Sequence, residues 1–330
     1  MLCFSESSEF SENSDNSELY KTKNNKPMTQ STNKQEFRRI WLFLLITFTM
    51  TFAWTIGLIW PHVLGRDAAT LSQEETLINT ALTAVLMFFP AIGVLITRLI
   101  TREGFKNSML RLNLKGNVRY YLIGWFGPFV LTVIGSALYY LIFPSEFTLS
   151  SYYAQMATLP VSVKTFWIVQ LLLMLVAPLL NLVTCFGEEW GWRGYLLPKV
   201  ASRMKFLPTV LVTGLIWGVW HAPIIAAGHN YGMDYPGYPF VGIVAMCLFC
   251  IVLGTLFSYI TLKTKSCWPA VFAHGMMNGT ASIGVIFLAD PMAYDRFVGP
   301  VPTGIIGAAA YIVVAVWIVW KMMREEARQG

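Results

Sequence analysis

The sequence predicts an all-α integral membrane protein, a bundle of about eight transmembrane helices with an intramembrane polar cavity. Three observations carry this reading. Hydrophobic residues make up 55% of the chain and charged residues only 13%, whereas soluble domains are about a quarter charged. Apolar runs of about 20 residues, long enough to cross a hydrocarbon core of about 30 Å, recur along the chain. Lys and Arg gather in alternate loops, as the positive-inside rule requires of a polytopic protein.

The elements follow in order. Residues 1–36 include the acidic, low-complexity stretch SESSEFSENSDNSE and are expected to form a disordered cytoplasmic tail. They lack the basic start and apolar core of a signal peptide. A polytopic membrane domain is expected over residues 37–323. Its spans fall near 40–60, 79–99, 120–143, 166–197, 207–227, 240–262, 268–289 and 304–320, and residues 324–330 form a short cytoplasmic tail. The fourth run is too long for one straight crossing, and Pro178 and Asn181 mark where it should kink or break. The five cysteines predict no disulfide framework. Cys247 and Cys250, one helical turn apart, read as small buried residues. No internal repeat is visible, which weighs against transporter folds built from two related halves.

The charges test the span count. Of 24 Lys and Arg, 20 lie on one side of the predicted membrane. They fall in the N-terminal segment, in the second, fourth and sixth loops and in the C-terminal tail. Only Arg66, Lys164 and Arg296 lie on the other side, and Arg193 falls inside a span. An even number of crossings with both termini cytoplasmic follows. The net charge of +6 reflects this bias. No loop has the basic, aromatic-interleaved run of a nucleic-acid surface.

Ionisable groups inside a bilayer are costly and are functional candidates by default. Five fall well inside spans: Glu188, Glu189, Arg193, His221 and His274. Glu189 and Arg193 are spaced i, i+4 and can pair. Glu188 sits about 100° further round the helix and can face a different partner. Trp217 and His221 share the i, i+4 spacing, as do His274 and Asn278. Their depths predict one chamber in the inner half of the membrane, open toward the cytoplasm. A carboxylate and an imidazole converging on water can take its proton and later return it to a leaving amine. A second His and an Asn can donate hydrogen bonds to an oxyanion. Each group alone also has a bland reading as buried helix glue or core packing. A proton relay or ion site would use the same residues.

Three ordered motifs then stand out. Glu188-Glu189-Trp-Gly-Trp-Arg193 reads as EExxxR, Trp217-Gly-Val-Trp-His221 as [FW]xxxH, and His274-Gly-Met-Met-Asn278 as HxxxN. In this order the stretch from about 171 to 281 resembles the type II CAAX protease and bacteriocin-processing family of intramembrane proteases. The resemblance implies an intramembrane endopeptidase in which Glu188 and His221 activate water. It implies that His274 and Asn278 stabilise the oxyanion and that Glu189, Arg193 and Trp217 order the site. No cofactor is expected. Zn²⁺ held by Glu188, His221 and His274 is the alternative, although no HExxH motif is present. The expected partners are a membrane-associated protein or peptide substrate and the lipid bilayer, with no nucleic acid. The expected location is a bacterial plasma membrane. Two other functions use the same polar groups, a non-proteolytic membrane scaffold and a proton-coupled transporter.

Overall fold

The structure, a computed structural model, describes residues 30–66, 71–150, 153, 156 and 162–328. Ten principal helices carry the chain: α1 (Gln30–Trp54), α2 (Gln73–Leu86), α3 (Phe89–Ile100), α4 (Val118–Ile142), α5 (Val163–Leu180), α6 (Leu182–Gly191), α7 (Phe206–Trp220), α8 (Phe240–Thr264), α9 (Trp268–Thr280) and α10 (Ala309–Ala327). Among the described residues the β-structure is one isolated antiparallel bridge between Phe147 and Leu288. A helical bundle is what a bilayer demands, because each helix satisfies its own backbone polar groups. Large apolar side chains face outward along the helices, among them Leu141, Leu172, Leu248 and Val313.

Local chemistry sets several boundaries. Ser72 accepts from the Glu75 amide at 3.2 Å while Glu75 accepts from the Ser72 amide at 2.8 Å, a capping box that starts α2. Ser162 caps α5 by accepting from the Thr165 amide at 3.1 Å. The long fourth run breaks at Asn181, between α5 and α6, three residues after Pro178. The Asn181 amide side chain donates to the carbonyls of Ala177 at 3.0 Å and Gly275 at 3.3 Å. The break is therefore satisfied by hydrogen bonds and tied to α9.

Six helical runs are long and apolar enough to cross a membrane: Asn33–Val63, Gln73–Ile100, Val118–Ile142, Val163–Leu180, Phe240–Thr264 and Trp268–Phe287. The other two expected spans take different forms. The run at 207–227 becomes the 15-residue α7 and a short turn, Ala222–Ile225, with Pro223 in its first turn. The last helix starts at Ala309, later than the expected 304, and continues through Lys321, Arg324, Glu325 and Glu326. The expected tail of residues 1–36 lies outside the described residues as far as 29. Its last seven residues begin α1, since QSTNKQE holds neither Gly nor Pro and runs directly into the apolar segment.

The two ends of the bundle are knit separately. At one end, Trp190 Nε1 donates to the Ser108 carbonyl at 3.1 Å, and the Cys267 amide donates to Met109 at 2.9 Å. Asn113 donates to the Thr264 and Lys265 carbonyls at 3.0 and 3.1 Å. Loop 101–117 is thereby drawn across the bundle on the side that carries the basic residues. At the other end, Trp60 donates to the Pro223 carbonyl at 2.8 Å, and Tyr231 stacks on Phe297 with ring centroids 4.8 Å apart.

Candidate active site

Helix α6 opens the site. A Cβ on Gly187 would stand 2.6 Å from the Met87 carbonyl oxygen, so glycine alone permits α6 to lie this close to the α2–α3 junction. That approach sets the rotation of α6. Glu188 and Glu189, about 100° apart on a helix, meet different partners, and their exposures are only 3% and 0%. A single π turn, Trp192–Leu196, follows and carries Arg193. Such turns recur at functional sites.

Glu189 is the anchor. Its Oε1 accepts from Arg193 Nη1 at 3.1 Å and from His274 Nδ1 at 2.8 Å. The Arg193 guanidinium also lies over the Trp217 ring at 4.0 Å and near the Phe257 ring at 5.1 Å. Cation–π attraction is strengthened where water is excluded. One buried carboxylate thus binds α6, the π turn and α9 together.

Glu188 meets the edge of the Trp217 ring. Its Oε2 accepts from the Trp217 indole N–H at 2.9 Å. Trp217 is positioned by the seating of α7 on α8, where a Cβ on Gly218 would stand 2.4 Å from the Cys247 Cα. His221 sits at the C-cap of α7. Its Nδ1 is 2.9 Å from the Trp217 carbonyl oxygen and 3.9 Å from Cys250 Sγ. A carbonyl can only accept, so Nδ1–H donates and Nε2 is left for the chamber. His274 meets the Trp217 ring edge to face at 5.7 Å. Asn278 is exposed at the chamber edge, and its Nδ2 donates to Cys185 Sγ at 3.6 Å.

Glu188, Trp217, His221, His274 and Asn278 line one chamber of about 450 Å³. Glu189 and Arg193 do not line it; they stand behind Trp217 and His274. The chamber shares Thr83, Ile224, His229, Asn230 and Tyr294 with a larger vestibule of about 1470 Å³. Arg66, Asp234 and Arg296 also line this vestibule. The chamber therefore opens toward the end that carries few basic residues, not toward the basic loops as helix depth suggested. Counting rise along each helix measures depth but does not reveal which loop covers the site. Loop 101–117 covers the basic end.

Three contributors escaped the sequence reading. Phe257 packs against Arg193 and His274, Cys250 lies beside His221, and Cys185 accepts from Asn278. Their residue types are ordinary in a membrane core, so only tertiary neighbourhood marks them. Among the described residues, no group of three or more His, Cys, Asp or Glu side chains could hold a metal ion. His274 turns Nδ1 to Glu189 and His221 turns Nδ1 to a carbonyl.

Fold and site together define a polytopic helical membrane protein with a carboxylate and two imidazoles sequestered between its helices. Residues 165–280 match the family model of the Rce1-like type II CAAX prenyl endopeptidases, close to the stretch marked out by the three motifs. The chain is 27% identical over 100 residues to CAAX prenyl protease 2 of Methanococcus maripaludis, across 30% of this chain and 37% of that protein. It is 28% identical over 117 residues to lysostaphin resistance protein A of Staphylococcus haemolyticus, across 36% of this chain and 28% of that protein. The chain thus spans about a third of the length of these curated relatives. The resemblance to this protease family read from the motifs holds.

Proposed function

We propose that this chain is an intramembrane endopeptidase that hydrolyses a peptide bond of a membrane-associated protein or peptide. The observation that carries the reading is the convergence of Glu188, His221, His274 and Asn278, from three helices, on one chamber. The match over residues 165–280 supports the same reaction class.

The chemistry follows from the partners. A water between Glu188 and His221 Nε2 gives up a proton to the Glu188 carboxylate as its oxygen attacks the scissile carbonyl carbon. The C=O electron pair moves onto oxygen. Asn278 Nδ2–H and a protonated His274 Nε2 donate to that oxyanion in a site shielded from bulk water. The C–N bond then breaks, and the proton held by Glu188 passes to the leaving nitrogen. Glu189 is unsuited to serve as the base, because its Oε1 already accepts from Arg193 and His274. Its role is to hold His274 and, through Arg193, Trp217. No step requires a metal, and activity is expected to persist in chelator.

The decisive experiment compares membrane-protein termini in cells carrying wild-type protein and Glu188→Gln. Termini that vanish with Glu188→Gln, at equal protein level, support proteolysis. An unchanged set of termini removes the protease reading and returns the chamber to a scaffold or proton-relay role. We also propose a bacterial plasma membrane location with both termini cytoplasmic, supported by the 20-to-3 distribution of Lys and Arg. Reporters fused at Gly330 and in the loop around Asp234 should report opposite sides.

A further inference from the structure

The two ends of the chamber are built differently, and the difference bears on which substrates can enter. The basic end is closed. Loop 101–117 is held to the helices through Ser108, Met109, Leu110 and Asn113, with Trp268 donating to the Leu110 carbonyl at 2.8 Å. An aromatic row runs along it. Phe105, Trp190, Phe186 and Trp268 follow one another in stacked pairs at 6.5, 5.7 and 5.2 Å, and Phe272 follows at 6.5 Å. A partly buried ionic cluster lies on the same side. Lys199 Nζ reaches Glu36 at 2.6 Å and Glu103 at 2.5 Å, and Tyr195 donates to Glu103 at 2.8 Å. None of these residues lines the chamber.

The opposite end is open. His229 and Asn230 from one loop and Tyr294, Pro302 and Thr303 from another form the chamber mouth. Beyond them lies the vestibule, with Tyr235, Tyr238 and Phe297 on its walls. Of the chamber residues on α9 and just beyond it, Asn278 and Ser282 are exposed. This end has few Lys or Arg, so the positive-inside rule assigns it to the non-cytoplasmic face.

We infer that substrate enters from the non-cytoplasmic face, so that the cleaved class is an extended, outward-facing segment of an exported or membrane-anchored protein. The inference rests on the protease reading for its word "substrate", while the side of access stands on geometry and charge alone. A chamber of about 450 Å³ admits an extended chain and excludes a folded domain. A tail presented from the cytoplasm, lipid-modified or not, meets the closed end.

Membrane-impermeant maleimide labelling of the full chain in intact bacterial cells tests the side of access. The described native cysteines 185, 247, 250 and 267 are buried, and Cys3→Ser removes the one outside the described residues. Asp234→Cys reports the vestibule rim, Ser282→Cys the chamber edge and Lys115→Cys the basic loop. The expected result is labelling of Asp234→Cys and Ser282→Cys in intact cells. Lys115→Cys should label only in inverted vesicles. Labelling of Ser282→Cys only in inverted vesicles, or from neither side, overturns the inference. If Ser282→Cys does not accumulate, Thr303→Cys at the mouth takes its place under the same criteria. A second arm maps the Glu188-dependent termini. They should fall in outward-facing segments, and cytoplasmic positions would overturn the inference. If no termini depend on Glu188, the protease reading fails while labelling still decides the open side.

Discussion

The basic end and the vestibule end of this bundle solve opposite problems with the same kinds of residue. At the basic end, Trp190 donates to Ser108, its ring stacks on Phe105 and Phe186, and it is almost wholly buried. At the vestibule end, Tyr238 bonds to the Ala226 carbonyl but remains half-buried beside a large cavity. Ion pairs divide in the same way. Lys199 is enclosed between Glu36 and Glu103, whereas Arg66 meets Glu75 at 2.7 Å in the open. An aromatic or a charge therefore has no fixed worth in this protein. Desolvation and the number of partners set it, and both are high where the bundle is sealed.

The sharpest test of that contrast lies within two adjacent residues. Glu189→Gln leaves Arg193 and His274 without their shared carboxylate. Removing one member of a buried ionic group costs about 3–5 kcal/mol in soluble proteins, so folded yield and melting temperature in detergent should both fall. Glu188→Gln keeps an acceptor for the Trp217 indole but lacks the base. Cleavage should be lost with little change in melting. If both variants melt like wild type, the division between anchor and base is wrong.

A second comparison sets one end against the other. Trp190→Ala removes a fully packed ring, at a cost of about 3–5 kcal/mol, together with a buried hydrogen bond. Tyr238→Ala removes a half-exposed ring from a cavity wall and should cost clearly less, with any loss appearing in cleavage before stability. Equal destabilisation of the two variants would break the comparison. The smallest effects belong to the ion pairs. Lys199→Met loses charge-assisted hydrogen bonds worth about 1.5–3 kcal/mol, while Arg39 still pairs with Glu36 and Glu103. Arg66→Ala should leave melting unchanged within error, because exposed pairs are screened by solvent. Thermal melts of these variants in one detergent order the series, and an Arg66→Ala effect as large as that of Lys199→Met would overturn it.

Much of the site was legible along the chain because helices convert spacing into direction. The i, i+4 interval of Glu189 and Arg193 became a 3.1 Å ion pair. The break predicted from Pro178 and Asn181 falls at Asn181. The count of spans was less legible. The run at 207–227 holds enough apolar residues for a crossing, but α7 stops at Trp220, before Pro223. Glu189 and Arg193 were expected in the cavity with the others. They lie behind it, because Trp217 stands between Arg193 and the chamber, a relation that sequence spacing does not express.

The sequence by itself determined the class of molecule, since apolar runs longer than a bilayer and a one-sided distribution of Lys and Arg leave few other physical outcomes. It also determined which polar groups had to find partners inside the membrane, because an ionisable side chain there is too costly to leave unpaired. Tertiary structure alone decided which partners those were. Glu189 joins His274 across 85 positions of sequence, and Glu188 joins Trp217 across 29. It also decided which end of the chamber is open, through loop 101–117 and its bonds to α6, α8 and the turn before α9. Local periodicity sets the direction of a side chain from its own helix. Closure depends on where a distant loop finds carbonyls and rings to satisfy, and that is a property of the assembled bundle.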